Sequence, residues 1–330
     1  MSQSEADSLK APLHPKHWPT WCVFGLWWLL VVLLPLPIQM WLGGKLGRLA
    51  ARLSERRARI TRKNLELCFP EKTKQEREAL FWESMESAGK GFFESGMAWF
   101  GPQWRLRRWY TIEGLEHLQA AHDEGKGVLL LGIHFTTIEI CAAFINQSYS
   151  IDGFYRPHKN PVYEYVQRWG RVRHNPFSHT IPRSDVRGII RNLRNKRAIN
   201  YAPDQDYGKK HSVFAPFFGI PAATVTAPSQ LIRVGKAKAI PYVTGRHSDD
   251  SGYYIRFYPP MDELGQGDEQ ADAELINAFV EREVRRNPGQ YLWSHRRFKT
   301  RPDGEKDFYR VEHMPWKQRR LKQEQQRKRK

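Results

Sequence analysis

From residue 126 onwards, short apolar runs rich in β-branched and aromatic residues alternate with longer amphipathic stretches. The short runs have the length and composition of strands, and the longer stretches repeat their apolar residues at helical spacing. This alternation predicts an α/β layered domain with a central, partly parallel, mixed sheet flanked by helices. The predicted strands cover 127–133, 151–155, 198–202, 213–217, 238–244 and 252–258, and the predicted helices cover 137–147, 161–173, 184–195, 225–234 and 271–287.

The first part of the chain has a different pattern, with one long uncharged segment. Residues 18–44 carry no charged side chain over 27 positions and have tryptophans near both ends. Because about 20 apolar residues can cross a bilayer and tryptophan prefers the membrane interface, we expect a membrane-anchor helix, either spanning or half-inserted as a re-entrant helix. Pro35 and Pro37 should kink or end it early. A cleaved signal peptide is disfavoured by the length of the run, and a buried core helix is the other alternative.

Basic residues are distributed unequally on the two sides of this segment. Lys10 and Lys16 precede it, whereas eight lysines and arginines lie within 45–63. The positive-inside rule therefore places the chain after residue 45 in the cytoplasm, against an anionic leaflet. Residues 45–67 predict a basic helix that either lies on the membrane surface or presents a solvated charged face, and residues 72–100 predict a second helix.

The composition favours negatively charged partners. The formal net charge is +18, so nucleic acid, anionic lipid headgroups and phosphorylated substrates are all candidates. The three cysteines are widely spaced, which excludes a disulfide framework and a zinc cluster. We expect a short N-terminal segment over 1–17, the anchor over 18–44, one folded domain over 45–310 and a disordered basic tail over 311–330.

One polar pair lies where α/β proteins bind ligands. His134 ends the apolar run "GVLLLGI", at the expected carboxyl end of a strand, and Glu139 follows five residues later. On one helix this spacing separates two side chains by about 140°, and on one strand it puts them on opposite faces. The two can meet only if the chain turns between them, which Thr136 and Thr137 allow as N-cap residues.

Two interpretations of this pair remain open from the residues alone. In the first, Thr136 and Glu139 form a T-x-x-E capping box and the carboxylate only bonds back to the cap. In the second, neutral His134 takes a proton from a substrate hydroxyl, and a carboxylate on its other nitrogen stabilises the imidazolium. The chain contains neither a G-x-S-x-G elbow nor an H-E-x-x-H motif, so a serine hydrolase and a zinc protease are disfavoured.

Motifs along the chain add to "HFTTIE" (134–139), which fits the H-x-x-x-x-[DE] box of membrane-bound acyltransferases. The chain resembles the late acyltransferases of lipid A biosynthesis, especially those of the lauroyl- or palmitoleoyltransferase type. The likeness covers nearly the whole chain except the basic tail. It is carried by "HPKHWPTW" (14–21), "RKNLELCFPE" (62–71), "GMAWF" (96–100), "GFYRPHKNP" (153–161), "WGRVRHN" (169–175), "YAPDQDYG" (201–208), "SVFAPFFGIPAAT" (212–224) and "QYLWSHRRFKTRPDG" (290–304).

The resemblance implies a reaction at the cytoplasmic face of the inner membrane. Enzymes of this family transfer a fatty acyl chain from acyl carrier protein to the 3-hydroxyl of a hydroxyacyl chain of (Kdo)2-lipid IVA. The resemblance implies His134 as general base, Glu139 as the residue that orients it, and Arg171 as the stabiliser of the oxyanion. A surface ion pair or a phosphate clamp is the alternative for Arg171. The implied partners are acyl carrier protein, (Kdo)2-lipid IVA and membrane phospholipid, with no nucleic acid, metal or cofactor.

Five further residues are expected to support the site or to bind substrate. Asp204 and Asp206 could hydrogen-bond the histidine or an arginine, bind a metal, or only cap a turn. Arg156, Arg296 and Arg297 suit lipid A phosphates or Kdo carboxylates, although a solvated basic surface would contain the same residues.

Three other functions fit less well. A glycerol-phosphate or lysophosphatidate acyltransferase shares the H-x-x-x-x-D box, but Glu139 replaces the aspartate, and "WGRVRHN" and "QYLWSHRRFKTRP" argue against it. The charge permits a membrane-tethered nucleic-acid-binding protein, but the chain has no helix-turn-helix, zinc-finger or RNA-recognition signature. A catalytically inactive relative is disfavoured because His134, Glu139 and Arg171 are all present.

Overall fold

The strands form one seven-stranded sheet and one separate hairpin. The computed structural model describes residues 9–309; the tail predicted over 311–330 and the first eight residues of the N-terminal segment lie outside the described residues. The strands are β1 (Tyr110–Glu113), β2 (Val128–Leu131), β3 (Ile151–Tyr155), β4 (Thr180–Pro182), β5 (Ala198–Tyr201), β6 (Ser212–Phe217), β7 (Ile220–Val225), β8 (Lys238–Arg246) and β9 (Tyr253–Phe257).

The sheet is mixed, which confirms the predicted fold class. Its strand order is β1-β9-β8-β2-β5-β3-β4, and β6 pairs with β7 in the hairpin. The five strands from β8 to β4 run parallel, whereas β9 is antiparallel to β8 and parallel to β1. Every residue of β2 is buried, as expected for a strand whose sheet is covered on both faces.

Helices cover both faces of this sheet. α1, α4, α7 and α8 pack with Val128 and Leu130 of β2, whereas α9, α10 and α11 pack with Leu129 and Leu131, because alternate residues of a strand point to opposite faces. The helices are α1 (Trp18–Leu33), α2 (Leu36–Leu53), α3 (Glu55–Cys68), α4 (Lys74–Phe100), α5 (Gln103–Leu106), α6 (Leu115–Asp123), α7 (Ile138–Ser148), α8 (Pro161–Val172), α9 (Val186–Arg194), α10 (Ala227–Gly235) and α11 (Glu269–Arg286).

The segment predicted as one anchor helix over 18–44 forms two helices, and the membrane anchor itself stays a prediction. Pro35 separates α1 from α2 and is the N-cap residue of α2, in agreement with the expectation that proline ends the helix. Along the described residues, the structure contains no helix that is both long enough and apolar enough to cross a membrane. α2 instead packs closely on α4, where a Cβ on Gly47 would overlap the Met85 carbonyl group.

The helix predicted over 45–67 is also divided. Its first part is the C-terminal half of α2 and the rest is α3, with Ser54 between them. Ile60 of α3 is buried, so α3 contributes to the protein core. The sequence pattern does not predict β1, β4, β7, α5 or α6. On α2, the apolar residues that recur at helical spacing are exposed: Leu46, Leu49 and Leu53.

Candidate active site

A cavity of about 1050 Å³ lies at the carboxyl edge of the sheet. The segments after β2, β3, β4 and β5 all contribute to its wall, as expected because ligands bind at strand carboxyl ends in α/β sheets. α7 and α8 contribute from one sheet face, and α9 and α10 from the other. The lining residues that follow the four strands include His134, Arg156, Arg183 and Tyr207.

His134 and Asp204 meet because their strands are neighbours. β2 ends at Leu131 and β5 ends at Tyr201, and the two strands pair in parallel, so the segments that follow them lie side by side. Nδ1 of His134 is 2.6 Å from Oδ1 of Asp204, and the backbone N–H of His134 donates to Oδ2 at 3.1 Å. Burial alone would raise the pKa of the Asp204 carboxyl group, but the charge of His134 and these hydrogen bonds lower it below its usual value.

The second imidazole nitrogen of His134 is available to the cavity. An ionised carboxylate only accepts hydrogen bonds, so Nδ1 of the neutral ring carries the proton and Nε2 is the acceptor. The side chain is 24% exposed and lines the cavity, and Nε2 makes no hydrogen bond to any residue within 9–309. This is the arrangement of a general base whose tautomer is set by a buried carboxylate.

Backbone hydrogen bonds hold the loop that carries His134. The His134 carbonyl accepts from Leu292 N–H at 3.0 Å, and Thr136 N–H donates to the Gln290 carbonyl at 2.9 Å. The side-chain amide of Gln290 accepts from the backbone N–H of Arg246 and donates to the Arg246 carbonyl, both at 2.8 Å. The loop is therefore fixed to the end of β8 as well as to the segment that follows α11.

Glu139 is bound to Arg171 and Trp99. The Arg171 guanidinium donates to both carboxylate oxygens at 2.8 and 2.7 Å, and Trp99 Nε1 donates at 2.7 Å. Burial alone would raise the pKa of Glu139, but the charge and hydrogen bonds of Arg171, with the Trp99 bond, lower it. In the described part of the chain, Glu139 makes no hydrogen bond to His134. His134 and Glu139 both line the cavity. A role for Glu139 in the reaction stays a prediction.

The T-x-x-E capping box is not formed. Thr137 is the N-cap residue of α7 and makes no side-chain cap hydrogen bond. Its hydroxyl bonds the Thr244 hydroxyl at 2.9 Å, and the Thr136 hydroxyl bonds that of Ser87 at 2.7 Å. Since the Glu139 carboxylate is used by Arg171 and Trp99, the local interpretation of the motif does not describe the structure.

Two of the predicted binding residues lie inside the protein instead. The Asp206 carboxylate accepts from the backbone N–H of Thr300 at 2.6 Å and from its hydroxyl at 2.8 Å. Arg297 is 2% exposed, and its guanidinium donates to the side chains of Thr224 and Asn277 at 2.9 and 3.1 Å. These contacts attach the C-terminal segment to the domain, and neither residue lines the cavity.

Three exposed cations lie at the cavity. Arg156, Arg183 and Lys210 line it, and none of them pairs with a carboxylate among the residues that the structure describes. Arg296 does not line it. Another part of the cavity wall is apolar, with small side chains on α7 and branched ones on α9 and α10. This apolar wall includes Ala142, Ala143, Ile189, Ile190, Leu231 and Val234.

Sequence reasoning missed four residues of this region. Trp99 lies within the motif "GMAWF", but nothing in the pattern shows that its indole reaches Glu139. Arg183 and Lys210 follow β4 and β5, and strand ends were the signal that could have found them. His295 accepts the backbone N–H of Asp206 at 3.0 Å, and burial lowers its pKa to about 4, so it is neutral at physiological pH.

The cavity contains a candidate base, His134, the ion pair of Glu139 and Arg171, and an apolar wall. Within residues 9–309, no group of three or more His, Cys, Asp and Glu side chains is placed to hold a metal ion. If His134 is the base, a hydroxyl group of a bound molecule can serve as the nucleophile. An apolar ligand with a polar, anionic end fits the distribution of side chains.

Comparison with known proteins adds independent information. The model of a family described as bacterial lipid A biosynthesis acyltransferase matches residues 6–300. The chain is 43% identical over 295 residues to the lipid A biosynthesis lauroyltransferase of Escherichia coli strain K12, which covers 89% of this chain and 95% of that protein. It is 42% identical over 298 residues to the palmitoleoyltransferase of that strain, with 90% and 96% covered. Its identity to the myristoyltransferase of that strain is 30% over 311 residues, with 90% and 94% covered.

Proposed function

Because the chain belongs to the bacterial lipid A biosynthesis acyltransferases, and is therefore an acyltransferase, we propose that it moves a fatty acyl chain from acyl carrier protein to the 3-hydroxyl of a hydroxyacyl chain of (Kdo)2-lipid IVA. The observation that carries this proposal is the free Nε2 of His134 at an apolar cavity with exposed cations. An acyl chain would occupy the apolar part, and the acceptor headgroup would meet the cations.

His134 acts as the general base. Nε2 accepts the proton of the acceptor 3-hydroxyl while that oxygen attacks the thioester carbonyl carbon, so a C–O bond forms and a tetrahedral intermediate results. The intermediate then expels the thiolate as the C–S bond breaks, and the imidazolium returns its proton to sulfur. Asp204 stabilises the imidazolium and holds the tautomer, because its carboxylate bonds Nδ1 at 2.6 Å.

Arg171 stabilises the oxyanion of the intermediate. A guanidinium has five N–H donors, and the bidentate contact with Glu139 uses two of them. The remaining donors are available to a negatively charged oxygen, and the group stays protonated throughout. Glu139 then serves the reaction by positioning Arg171, whereas Asp204 is the carboxylate that orients His134.

The cations at the cavity bind the acceptor headgroup. (Kdo)2-lipid IVA carries phosphates and sugar carboxylates, and guanidinium groups bind both in a bidentate manner. Arg156, Arg183 and Lys210 are exposed and lack a carboxylate partner in the described chain. They can therefore bind anions without first breaking an internal ion pair.

The enzyme works at the cytoplasmic face of the inner membrane. α1 presents apolar side chains to solvent on one side, and a helix of this kind lies with that side in the interfacial region of a bilayer. Trp18 and Trp41 are also exposed, and indole rings prefer the level of the lipid headgroups. This orientation gives a membrane-bound acceptor access to the cavity. The exposed apolar residues of α1 are Val23, Leu26, Trp28, Leu29 and Leu33.

A direct assay tests the proposal. Purified protein is incubated with (Kdo)2-lipid IVA and acyl carrier proteins bearing C10 to C16 chains, and product mass is followed. One acyl chain should be added, and His134→Ala should abolish the addition in a protein that still unfolds cooperatively. Lysophosphatidate serves as the alternative acceptor. Acylation of lysophosphatidate alone, or no acylation with any donor while a family member of known activity works, would contradict the proposal.

A further inference from the structure

One helix beside the cavity carries a row of exposed arginines. Arg187, Arg191 and Arg194 follow one another at i, i+4 and i+7 on α9, so they share one face, and all three are exposed. We call them the arginine face. None of the three pairs with a carboxylate within residues 9–309. The carboxylate next to them in the chain, Asp185, is used as the N-cap of α9, where it accepts from Gly188 N–H at 2.8 Å.

Helix stability does not explain this row. Cations favour the C-terminal end of a helix because of the helix dipole, which accounts for Arg191 and Arg194 in the last turn. Arg187 lies in the first turn, where the same dipole disfavours a positive charge. The first turn of α9 contains no acidic residue. The charge of Arg187 therefore costs local stability, and an external anion would offset that cost.

α9 also forms part of the cavity wall. Val186, Ile189 and Ile190 line the cavity, so the same nine-residue helix carries the arginine face and part of the substrate site. A partner bound to the arginine face would be within one helix diameter of the bound acyl chain, about 10–12 Å.

The arginine face also points away from the apolar surface of α1. α9 packs with α10 on the sheet face that includes Leu129 and Leu131, whereas α1 packs with α8 on the face that includes Val128 and Leu130. A membrane that contacts α1 therefore lies on the other side of the sheet. An anion that reaches α9 is then expected to come from the aqueous phase.

We propose that the arginine face is the docking surface for the acyl carrier protein, the small acidic protein that delivers the thioester; this inference rests on the function proposed above. The carrier binds from the aqueous side while the acceptor lipid enters from the membrane side, so the two substrates reach the cavity across opposite faces of the sheet. Charge complementarity between an acidic partner and a row of arginines that have no carboxylate partner within residues 9–309 accelerates association and fixes orientation.

Charge reversal tests the surface. The variant is Arg187→Glu with Arg191→Glu; the helix dipole favours the glutamate at 187 and disfavours the one at 191, so thermal unfolding of the variant is measured to show that it folds. The matched control is Arg107→Glu with Arg108→Glu, two exposed arginines beside β1 at the far edge of the sheet. The α9 variant should raise KM for acyl carrier protein about tenfold and leave KM for the acceptor and kcat unchanged. The control should match the wild type.

Two further measurements separate the possible outcomes. Binding of holo acyl carrier protein, without turnover, should weaken in the α9 variant and lose its salt dependence. If wild-type protein transfers no chain from acyl carrier protein, the proposed function fails, and this binding measurement still decides the docking surface. Equal KM and equal binding in variant and wild type would overturn the inference. So would an equal loss of binding to anionic phospholipid vesicles, which would assign α9 to the membrane.

Discussion

The imidazole Nδ1 of His134 lies 2.6 Å from a carboxylate oxygen of Asp204, a residue 70 positions later in the chain. The carboxylate five residues from the histidine, Glu139, is bonded to Arg171 and Trp99 instead. The motif H-x-x-x-x-E thus contains two chemical units. Its histidine is held by Asp204 from the neighbouring strand, and its glutamate holds an arginine on α8.

Asp204→Asn should lower kcat while the protein stays folded. Asparagine is isosteric but uncharged, so it no longer stabilises the imidazolium or sets the tautomer, and a loss of about 10²- to 10³-fold is expected. Asp206→Asn is the matched control, because Asp206 bonds Thr300 and not His134. It should lower Tm and change kcat little. Equal losses of kcat in the two variants would contradict the role assigned to Asp204.

Glu139 and Arg171 should be coupled energetically. Glu139→Gln or Arg171→Met leaves one partly buried charge without its partner. The double variant should therefore lose less free energy of unfolding than the sum of the losses of the two single variants. Urea denaturation of the two single variants and the double variant should give a coupling of about 1–3 kcal/mol. Both single variants should also lose turnover, since Arg171 is no longer held. Independent, additive effects on stability would contradict the pairing.

The contribution of Glu139 to stability should depend on pH. The folded protein lowers the pKa of this carboxyl group, so its stabilising effect is present above the unfolded value of about 4.3 and is lost as pH falls through the folded pKa. The difference in free energy of unfolding between wild type and Glu139→Gln should therefore be constant above about pH 5 and shrink at lower pH. A series of urea denaturations checks this, and a difference that does not vary with pH would contradict it.

Gly170→Ala should disturb the site through Trp99. A Cβ at this position would lie 2.5 Å from Cγ of Trp99, whose indole bonds Glu139. The overlap should cost about 1–3 kcal/mol and lower turnover. Gly153→Ala is the control, because its Cβ would lie 3.9 Å from Arg171 Cδ, an ordinary contact. Thermal unfolding and the transfer assay on both variants measure the effects, and a fully active Gly170→Ala protein would contradict the contact.

Val23→Glu should weaken membrane binding. Val23 is 67% exposed on α1, and a carboxylate there would have to enter the bilayer interface, so partitioning into vesicles should fall about tenfold. Leu275→Glu on α11 is the control, because this exposed residue lies on the opposite sheet face from α1. Cosedimentation with anionic phospholipid vesicles measures both. Equal partitioning of the two variants would argue against α1 as the membrane surface.

Local patterns predicted most of the regular structure. The predicted strand over 151–155 coincides with β3, and the helix over 161–173 differs from α8 by one residue, because both carry their periodicity within the segment. The segment 18–44 is divided where Pro35 was expected to end the helix, whereas composition gave no sign that the glycines after Pro35 pack on α4. β1 and β4 escaped prediction because three or four residues are too few to show a period.

The buried strand "VLLL", the histidine after it, the class of the fold and the family can all be recognised from the chain alone, since each depends on residues that are near one another or on motifs that can be matched directly. The carboxylate that binds His134 is visible only in the folded molecule. Asp204 reaches it because β2 and β5 are neighbours in the sheet although β3 and β4 lie between them in the chain. Strand order follows from how the helices cover both sheet faces, and that packing has no local signature.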